Sequence, residues 1–123
     1  MMRRFFNMCR PLELVFSNGM DKGVRIGPAT GNVEDMTTFE QFYDAYKKQM
    51  DYAIQLLVNA DNAIDMAHAE RCPLPFLSSM VDDCMKVGKT VQEGGAVYNF
   101  TGPQGFGVAN MADSLYSVKN ACL

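Results

Sequence analysis

The chain has 123 residues, a net charge of −3, 48% hydrophobic residues and 20% charged residues. This length suits one domain with a modest core, and the composition excludes a disordered tail. Lysine and arginine never cluster beyond a pair, so we expect no nucleic-acid partner. No apolar run is long enough to span a bilayer, so we expect no membrane association.

The N-terminal stretch "MMRRFFNMCRPLELVF" places basic residues before apolar ones, as a signal peptide does. Arg10, Pro11 and Glu13 interrupt the apolar run too early, and no small-residue cleavage site follows. We therefore expect a cytoplasmic protein. Its four cysteines form no Cys-x-x-Cys pair, and they are expected to be reduced thiols.

In chain order, the first predicted element is a helix that begins at about Pro11 and is stopped by Gly19. Residues 19–36 are rich in glycine and turn-forming residues, which predicts an irregular connection.

A long amphipathic helix is predicted over about residues 38–71. Thr37 and Glu40 have capping-box spacing at its start, and Pro73 ends it. Small or apolar residues recur at steps of three or four, which predicts one buried stripe: Phe39, Phe42, Tyr46, Met50, Ala53, Leu57, Ala60, Ile64 and Ala67. At roughly 50 Å the helix exceeds the width of a domain whose radius of gyration is roughly 14 Å. We therefore expect it to overhang its own domain.

Three shorter elements follow. Residues 75–88 read as a second amphipathic helix with Gly88 just past its end. Residues 95–100 read as a short strand, and residues 108–123 as a third helix. The chain is thus predicted to be α/β and mostly helical.

Nucleotide-binding motifs are excluded by spacing. Gly88, Lys89 and Thr90 match the end of a phosphate loop, but its first glycine would fall at Asp83, whose carboxylate repels phosphate. The three glycines at 102, 105 and 107 run in the reverse of the dinucleotide-binding order.

His68, Cys72 and Cys84 are the candidate ligands of a metal site. The first two are four residues apart and can share a helix face, but a closed zinc site needs four ligands. Core cysteines and a helix-end histidine are the favoured interpretation, so neither a metal nor a cofactor is expected to bind this chain. Cys9 lies beside Arg10, but no catalytic base accompanies it, so a helix-proximal thiol is the favoured interpretation.

The glycine-rich stretch over about residues 93–107 is the candidate binding segment. Gly94 and Gly95 predict a bend or a close backbone approach, and "TGPQG" is turn chemistry. The tyrosine, amide and hydroxyl of Tyr98, Asn99 and Thr101 can fix a small polar substrate. The alternative is that these side chains only satisfy local hydrogen bonds, and spacing does not separate the two.

Several motifs in series give a family resemblance. The stretch "ERCPLPFLSSMVDDCMKVGKTVQEGGAVYNFTGPQGFGVANMADSLYSVK" strongly resembles a segment of the glycyl radical enzymes, the pyruvate formate-lyase family. The matching pieces are residues 73–78, 93–96, 98–99 and 113–115, with Asn7, Leu12, Glu13, Leu14, Asn18 and Gly19 upstream. The wording "YNFTGPQG" resembles the dehydratase and lyase branch, which acts on glycerol, propanediol, hydroxyproline or choline-like substrates.

The resemblance implies a slice of a ten-stranded α/β barrel, with the long helix on its outside and one short core strand. It implies substrate contacts from Tyr98 and Thr101, with Asn99 beside them. It further implies a parent enzyme that uses a protein glycyl radical. A partner activating enzyme with S-adenosylmethionine and an iron–sulfur cluster installs that radical, which passes to a cysteine.

The chain departs from this pattern because it contains neither the Gly-Cys-x-Glu-like thiyl motif nor the glycyl radical loop. Cys9 is followed by Arg10 and Pro11 and does not fit the thiyl motif. We therefore expect an internal fragment that is inactive alone, or a piece of a formate acetyltransferase proper. The rival hypotheses are a small helical interaction or structural protein that docks on a full-length homologue or on itself, and an enzyme completed in trans.

Overall fold

The computed structural model describes residues 3–100 and 102–122. Helices make up most of this part of the chain. The elements are β1 (Arg3–Asn7), α1 (Cys9–Phe16), β2 (Met20–Asp21), β3 (Val24–Arg25), a 3₁₀ turn (Val33–Asp35), α2 (Phe39–Arg71), α3 (Pro75–Ser79), α4 (Cys84–Val87), β4 (Gly102–Phe106), α5 (Val108–Ser117) and a π-helical turn (Val118–Cys122). Among these elements, no helix has the length and apolar character needed to cross a membrane.

The chain divides into two compact units. Of the described residues, the first combines 3–56 with 103–122, and the second contains 57–100 and 102. We call them the core unit and the loop unit. Helix α2 contributes residues 39–56 to the core unit and 57–71 to the loop unit.

The core unit is built around the start of α2. Its buried cluster joins α1, α2 and the last turn of the chain through Leu12, Val15, Phe42, Ala45, Tyr46 and Val118. β1 pairs with β4, and β2 pairs antiparallel with β3. Leu12 and Val15, three residues apart on one face of α1, belong to this cluster, and tertiary packing of that face stabilises a short helix.

Helix α1 begins at Cys9, two residues before the predicted start, and its last residue is Phe16. Gly19 has a positive φ of 76° and donates its N–H to the Leu14 carbonyl over 2.7 Å. A side chain there would overlap the carbonyl oxygens of Gly27 and Pro28. Gly19 therefore closes the helix end, as the sequence predicted.

Helix α2 runs from Phe39 to Arg71, within one residue of the predicted range. The predicted cap was wrong by one residue. Thr38 Oγ1 accepts the Gln41 N–H over 3.4 Å, and Gln41 Oε1 accepts the Thr37 N–H over 2.9 Å. Thr38 and Gln41 thus form a variant of the capping box, in which the return bond from Gln41 goes to the Thr37 N–H and not to that of Thr38.

The predicted buried stripe of α2 is wrong beyond its first turns. Its buried residues are Phe42, Ala45, Tyr46 and Gln49, all in the core unit. Further along, the apolar stripe positions are half-buried or exposed, and Ile64 is 38% exposed. Periodicity identifies the face that a helix can bury, but burial also requires a packing partner.

The predicted helix over 75–88 is wrong as a single element. Residues 80–83 separate α3 from α4, and Asp83 adopts the left-handed conformation with φ 75°. Gly88 does end α4 in the left-handed conformation, as predicted. The third helix, predicted over residues 108–123, is α5 as far as Ser117, and the residues Val118–Cys122 form the π-helical turn.

The predicted strand at 95–100 is also wrong. Residues 98–100 are irregular, and the strand lies just beyond them in β4. β4 forms because β1 offers it a partner, despite its glycines and proline. The expected single core strand is therefore replaced by two two-stranded sheets among the described residues, which are too few to close a ten-stranded barrel.

Candidate functional site

The candidate segment is held in place by a turn over residues 90–95. The Gly95 N–H donates to the Thr90 carbonyl over 2.9 Å. Glu93 accepts two hydrogen bonds from Thr90, at 2.9 Å from the backbone N–H and 2.8 Å from Oγ1. These three bonds fix the direction in which the chain leaves toward Tyr98.

Two glycines make this turn possible. Gly94 has a positive φ of 78°, a conformation that other residues adopt at a cost. Gly95 is buried, and a Cβ there would overlap the Lys89 carbonyl oxygen. The predicted bend and close backbone approach at this pair are both confirmed.

Glu93 gives the turn a pH dependence. The hydrogen bonds from the Thr90 backbone and hydroxyl stabilise the carboxylate and hold the pKa of Glu93 below its usual range. A depressed folded-state pKa stabilises the turn above the unfolded-state pKa, and this stabilisation is lost as the pH falls through the folded value.

We therefore expect acidification below the usual glutamate range to release the Thr90 N–H. Titration of the Thr90 amide ¹H–¹⁵N shift should show one transition with the depressed pKa. Glu93→Gln, which keeps an acceptor of similar shape, should abolish that transition. A Thr90 shift that titrates equally in Glu93→Gln would contradict the assignment.

The residues predicted to contact substrate lie on the segment after this turn. Tyr98 is 81% exposed, and its neighbours Val97 and Phe100 are 71% and 76% exposed. The rings of Tyr98 and Phe100 lie 6.3 Å apart between centroids. Asn99 donates its side-chain Nδ2 to the Val91 carbonyl over 3.0 Å. Thr101 lies outside the described residues.

The structure brings Tyr98 and Asn99 together on an open surface. Two clefts of about 570 and 360 Å³ lie in the core unit. Residues 16–18 and 32–34 line the larger, and residues 30–48 contribute the lining of the smaller; neither includes Tyr98 or Asn99. Among the described residues, no three histidine, cysteine or carboxylate side chains gather closely enough to hold a metal ion.

The loop unit exposes many large apolar side chains: Val58, Ile64, Met66, Leu74, Phe76, Leu77, Met80, Met85, Val87, Val97, Tyr98 and Phe100. Exposed apolar side chains in such number are typical of a surface that another protein or a ligand covers. Val97, Tyr98 and Phe100 in the segment 97–100 are among them.

The sequence did not predict the structural role of one residue that supports this segment. Ser78 is buried and accepts the Val91 N–H over 3.0 Å. Nothing in a local pattern marks a serine inside a short amphipathic helix as a support for a turn thirteen residues later.

Comparison with known proteins identifies the family. The family described as "Pyruvate formate lyase-like" matches residues 1–122. A structure from work on 1,2-propanediol dehydration in Roseburia inulinivorans is 66% identical, with a TM-score of 0.91 over 94% of this chain. The glycerol-bound B12-independent glycerol dehydratase from Clostridium butyricum is 57% identical, with a TM-score of 0.92 over 96% of this chain.

A more distant relative extends the comparison within the same class. Trans-4-hydroxy-L-proline dehydratase from Clostridioides difficile is 36% identical over 94% of this chain. The chain spans only 15% of the length of each of these three relatives. The family match over nearly all residues, and the shared backbone geometry, confirm the resemblance seen in the sequence. This chain therefore belongs to the pyruvate formate lyase-like family, the glycyl radical enzymes, and corresponds to a short region of the family's dehydratases.

Proposed function

We propose that this chain is a segment of a glycyl radical dehydratase that removes water from a small polyol such as glycerol or 1,2-propanediol. In this proposal residues 97–101 form one wall of the substrate pocket, with Tyr98, Asn99 and Thr101 as substrate-contacting residues. The observation that carries the proposal is the high identity to a propanediol-dehydration protein and to glycerol dehydratase. The exposure of Tyr98 on a fixed segment supports its role.

The chemistry of the segment suits a small polyol. A phenol both donates and accepts a hydrogen bond, so Tyr98 can orient a substrate hydroxyl. The exposed apolar side chains of Val97 and Phe100 flank it. When they are covered, they exclude water, which strengthens the polar contacts and protects a reactive intermediate.

The chemical step itself is assigned to other parts of a larger enzyme. Nowhere do these 123 residues contain a Gly-Cys-x-Glu motif or a glycyl radical loop. We therefore propose that the chain has no turnover alone, and that an activating enzyme with S-adenosylmethionine and an iron–sulfur cluster acts on the larger enzyme. A thiyl cysteine must reach contact distance of the substrate, which requires the pocket to be assembled around this wall.

The test uses a chimera of the Clostridium butyricum glycerol dehydratase in which the matching segment is replaced by this chain. In this glycerol dehydratase chimera, Tyr98→Ala should lower kcat/KM for glycerol roughly tenfold to a hundredfold, as expected for one lost hydrogen bond and its contacts. The matched control is Tyr116→Ala, because Tyr116 is 70% exposed and lies on α5.

Glycyl radical yield, measured by electron paramagnetic resonance, should be equal in both variants. The proposal fails if Tyr98→Ala and Tyr116→Ala have the same kcat/KM while the radical yield is intact. A radical signal formed on the isolated 123-residue chain would overturn the view that it is inactive alone.

A second candidate function follows from the exposed apolar side chains of the loop unit. They suit a helical interaction protein that docks on a full-length homologue or on a second copy of itself. Sedimentation and thermal unfolding of the isolated chain together distinguish the two, since a stable monomer or a defined dimer that unfolds cooperatively would favour an autonomous protein over a segment.

A further inference from the structure

The peptide groups of Val91 are both held by side chains. Its N–H donates to Ser78 Oγ over 3.0 Å, and its carbonyl accepts from Asn99 Nδ2 over 3.0 Å and also from the Gly94 N–H over 3.1 Å. Val91 thus joins α3 on one side to the segment that carries Tyr98 on the other. This link is made by the side chains of Ser78 and Asn99 and not by the backbone hydrogen bonds of a helix or a sheet.

Ser78 is itself fixed by α3. Its hydroxyl donates to the Leu74 carbonyl over 2.7 Å while accepting from Val91, so both of its hydrogen-bonding roles are used. The Leu74 N–H in turn donates to Gln92 Oε1 over 3.3 Å. The start of α3 and the turn at 90–92 therefore hold each other by reciprocal bonds.

The hydrogen bonds that Ser78 and Asn99 make to Val91 differ in strength because the two side chains differ in burial. Ser78 is only 5% exposed, so water competes poorly for its hydroxyl, and loss of that hydroxyl leaves the N–H of the half-buried Val91 without this partner. Asn99 is exposed, and its bond to Val91 competes with water. We expect Ser78 to contribute more to the geometry than Asn99 does.

We infer that Ser78 is a positioning residue for substrate binding, and that Asn99 positions the same segment through Val91 in addition to lying on the pocket wall. Together they set where Tyr98 stands relative to α3. This inference rests on the proposed function, because positioning matters only if residues 97–101 face the substrate.

The first test measures the link itself in the 123-residue chain. In Ser78→Ala, exchange of the Val91 amide hydrogen should become about tenfold faster, as expected when a native hydrogen bond is lost. Ser78→Thr keeps a hydroxyl that can bond the carbonyl four residues earlier, and should restore slow exchange. Equal Val91 exchange in Ser78→Ala and the parent chain would overturn the inference.

The matched control is Ser79→Ala. Ser79 lies next in α3 and its hydroxyl donates only locally, to the Phe76 carbonyl over 2.7 Å. Its loss should leave Val91 exchange unchanged. Because Ser78 is buried, Asn99→Asp provides a second variant at an exposed site, with Asn59→Asp on α2 adding the same charge to the loop unit. Only Asn99→Asp should shift the carbonyl ¹³C resonance of Val91, because only that change removes the bond from Asn99 Nδ2, and equal shifts in both variants would overturn its role.

The second test measures function in the glycerol dehydratase chimera. Ser78→Ala should raise KM for glycerol about fivefold with a smaller change in kcat, because it displaces a binding wall and leaves the radical carriers in place. Ser78→Thr should restore KM. If Tyr98→Ala impairs turnover and Ser78→Ala does not, the positioning role is wrong. If neither variant impairs turnover, the proposed function fails with it.

Discussion

Phe42→Ala is expected to lower the free energy of unfolding of the core unit by about 3–5 kcal/mol, the usual cost of removing a buried phenylalanine. Phe42 is fully buried in the cluster formed with Leu12, Val15 and Val118. Its ring also packs against Phe16, with 5.4 Å between centroids. The loss combines the transfer energy of the ring with the energy of the cavity that remains.

Urea unfolding followed by circular dichroism gives the measurement, and Tyr43→Ala gives the control. Tyr43 is the next residue on α2 but is 41% exposed, so it should cost far less. Complete loss of the cooperative transition in Phe42→Ala, with the transition kept in Tyr43→Ala, would also support the account. Equal midpoints for the two variants would show that the start of α2 is not the centre of the core.

Gly95→Ala is expected to destabilise the loop unit by about 3 kcal/mol, the upper part of the range for overpacking. The new Cβ would overlap the Lys89 carbonyl oxygen and lie 3.0 Å from the Thr90 carbonyl oxygen. Both are backbone atoms, so no side chain can rotate away. The turn must open, and the bond from the Gly95 N–H to Thr90 should break.

Amide exchange over residues 57–100 tests this expectation. Gly94→Asn is the matched control, because that site has a positive φ but open space around it, and asparagine tolerates the left-handed conformation. Gly95→Ala should accelerate exchange across the turn and Gly94→Asn should have little effect. Slow exchange in both variants would contradict the close approach seen at Gly95.

The sequence predicted local features well and long-range ones poorly. The bounds of α2 follow from its periodicity and from Pro73, and the roles of Gly19, Gly88 and Gly95 follow from local backbone chemistry. These features depend only on neighbours within a few residues, so a short stretch of sequence is enough to predict them.

The misplaced strand shows why the rest was harder. Residues 95–100 have a better strand composition than 102–106, but β4 forms where β1 lies. The glycines and Pro103 of β4 are typical of a turn. Pairing with β1, which lies far away in the sequence, makes this stretch a strand instead. The stripe of α2 failed for a related reason, since its pattern does not reveal which positions will find a packing partner.

The candidate site was predicted unevenly. Spacing alone left Tyr98 undecided between substrate contact and a local hydrogen bond, and the family resemblance favoured the first. Ser78 lies in the family-matching stretch 73–78, but its supporting role was not predicted, because its partner Val91 is thirteen residues away and its neighbours form an ordinary amphipathic pattern. A buried hydroxyl that supports a distant turn leaves no local signature.

The central claim is that residues 97–101 form a wall of the substrate pocket in a polyol dehydratase. The crystal structure of the glycerol dehydratase chimera with glycerol bound tests it most directly. We predict that Tyr98 Oη or Thr101 Oγ1 lies within about 3.2 Å of a glycerol hydroxyl, the range of a hydrogen bond. A glycerol molecule separated from residues 97–101 by a layer of other side chains would contradict the account.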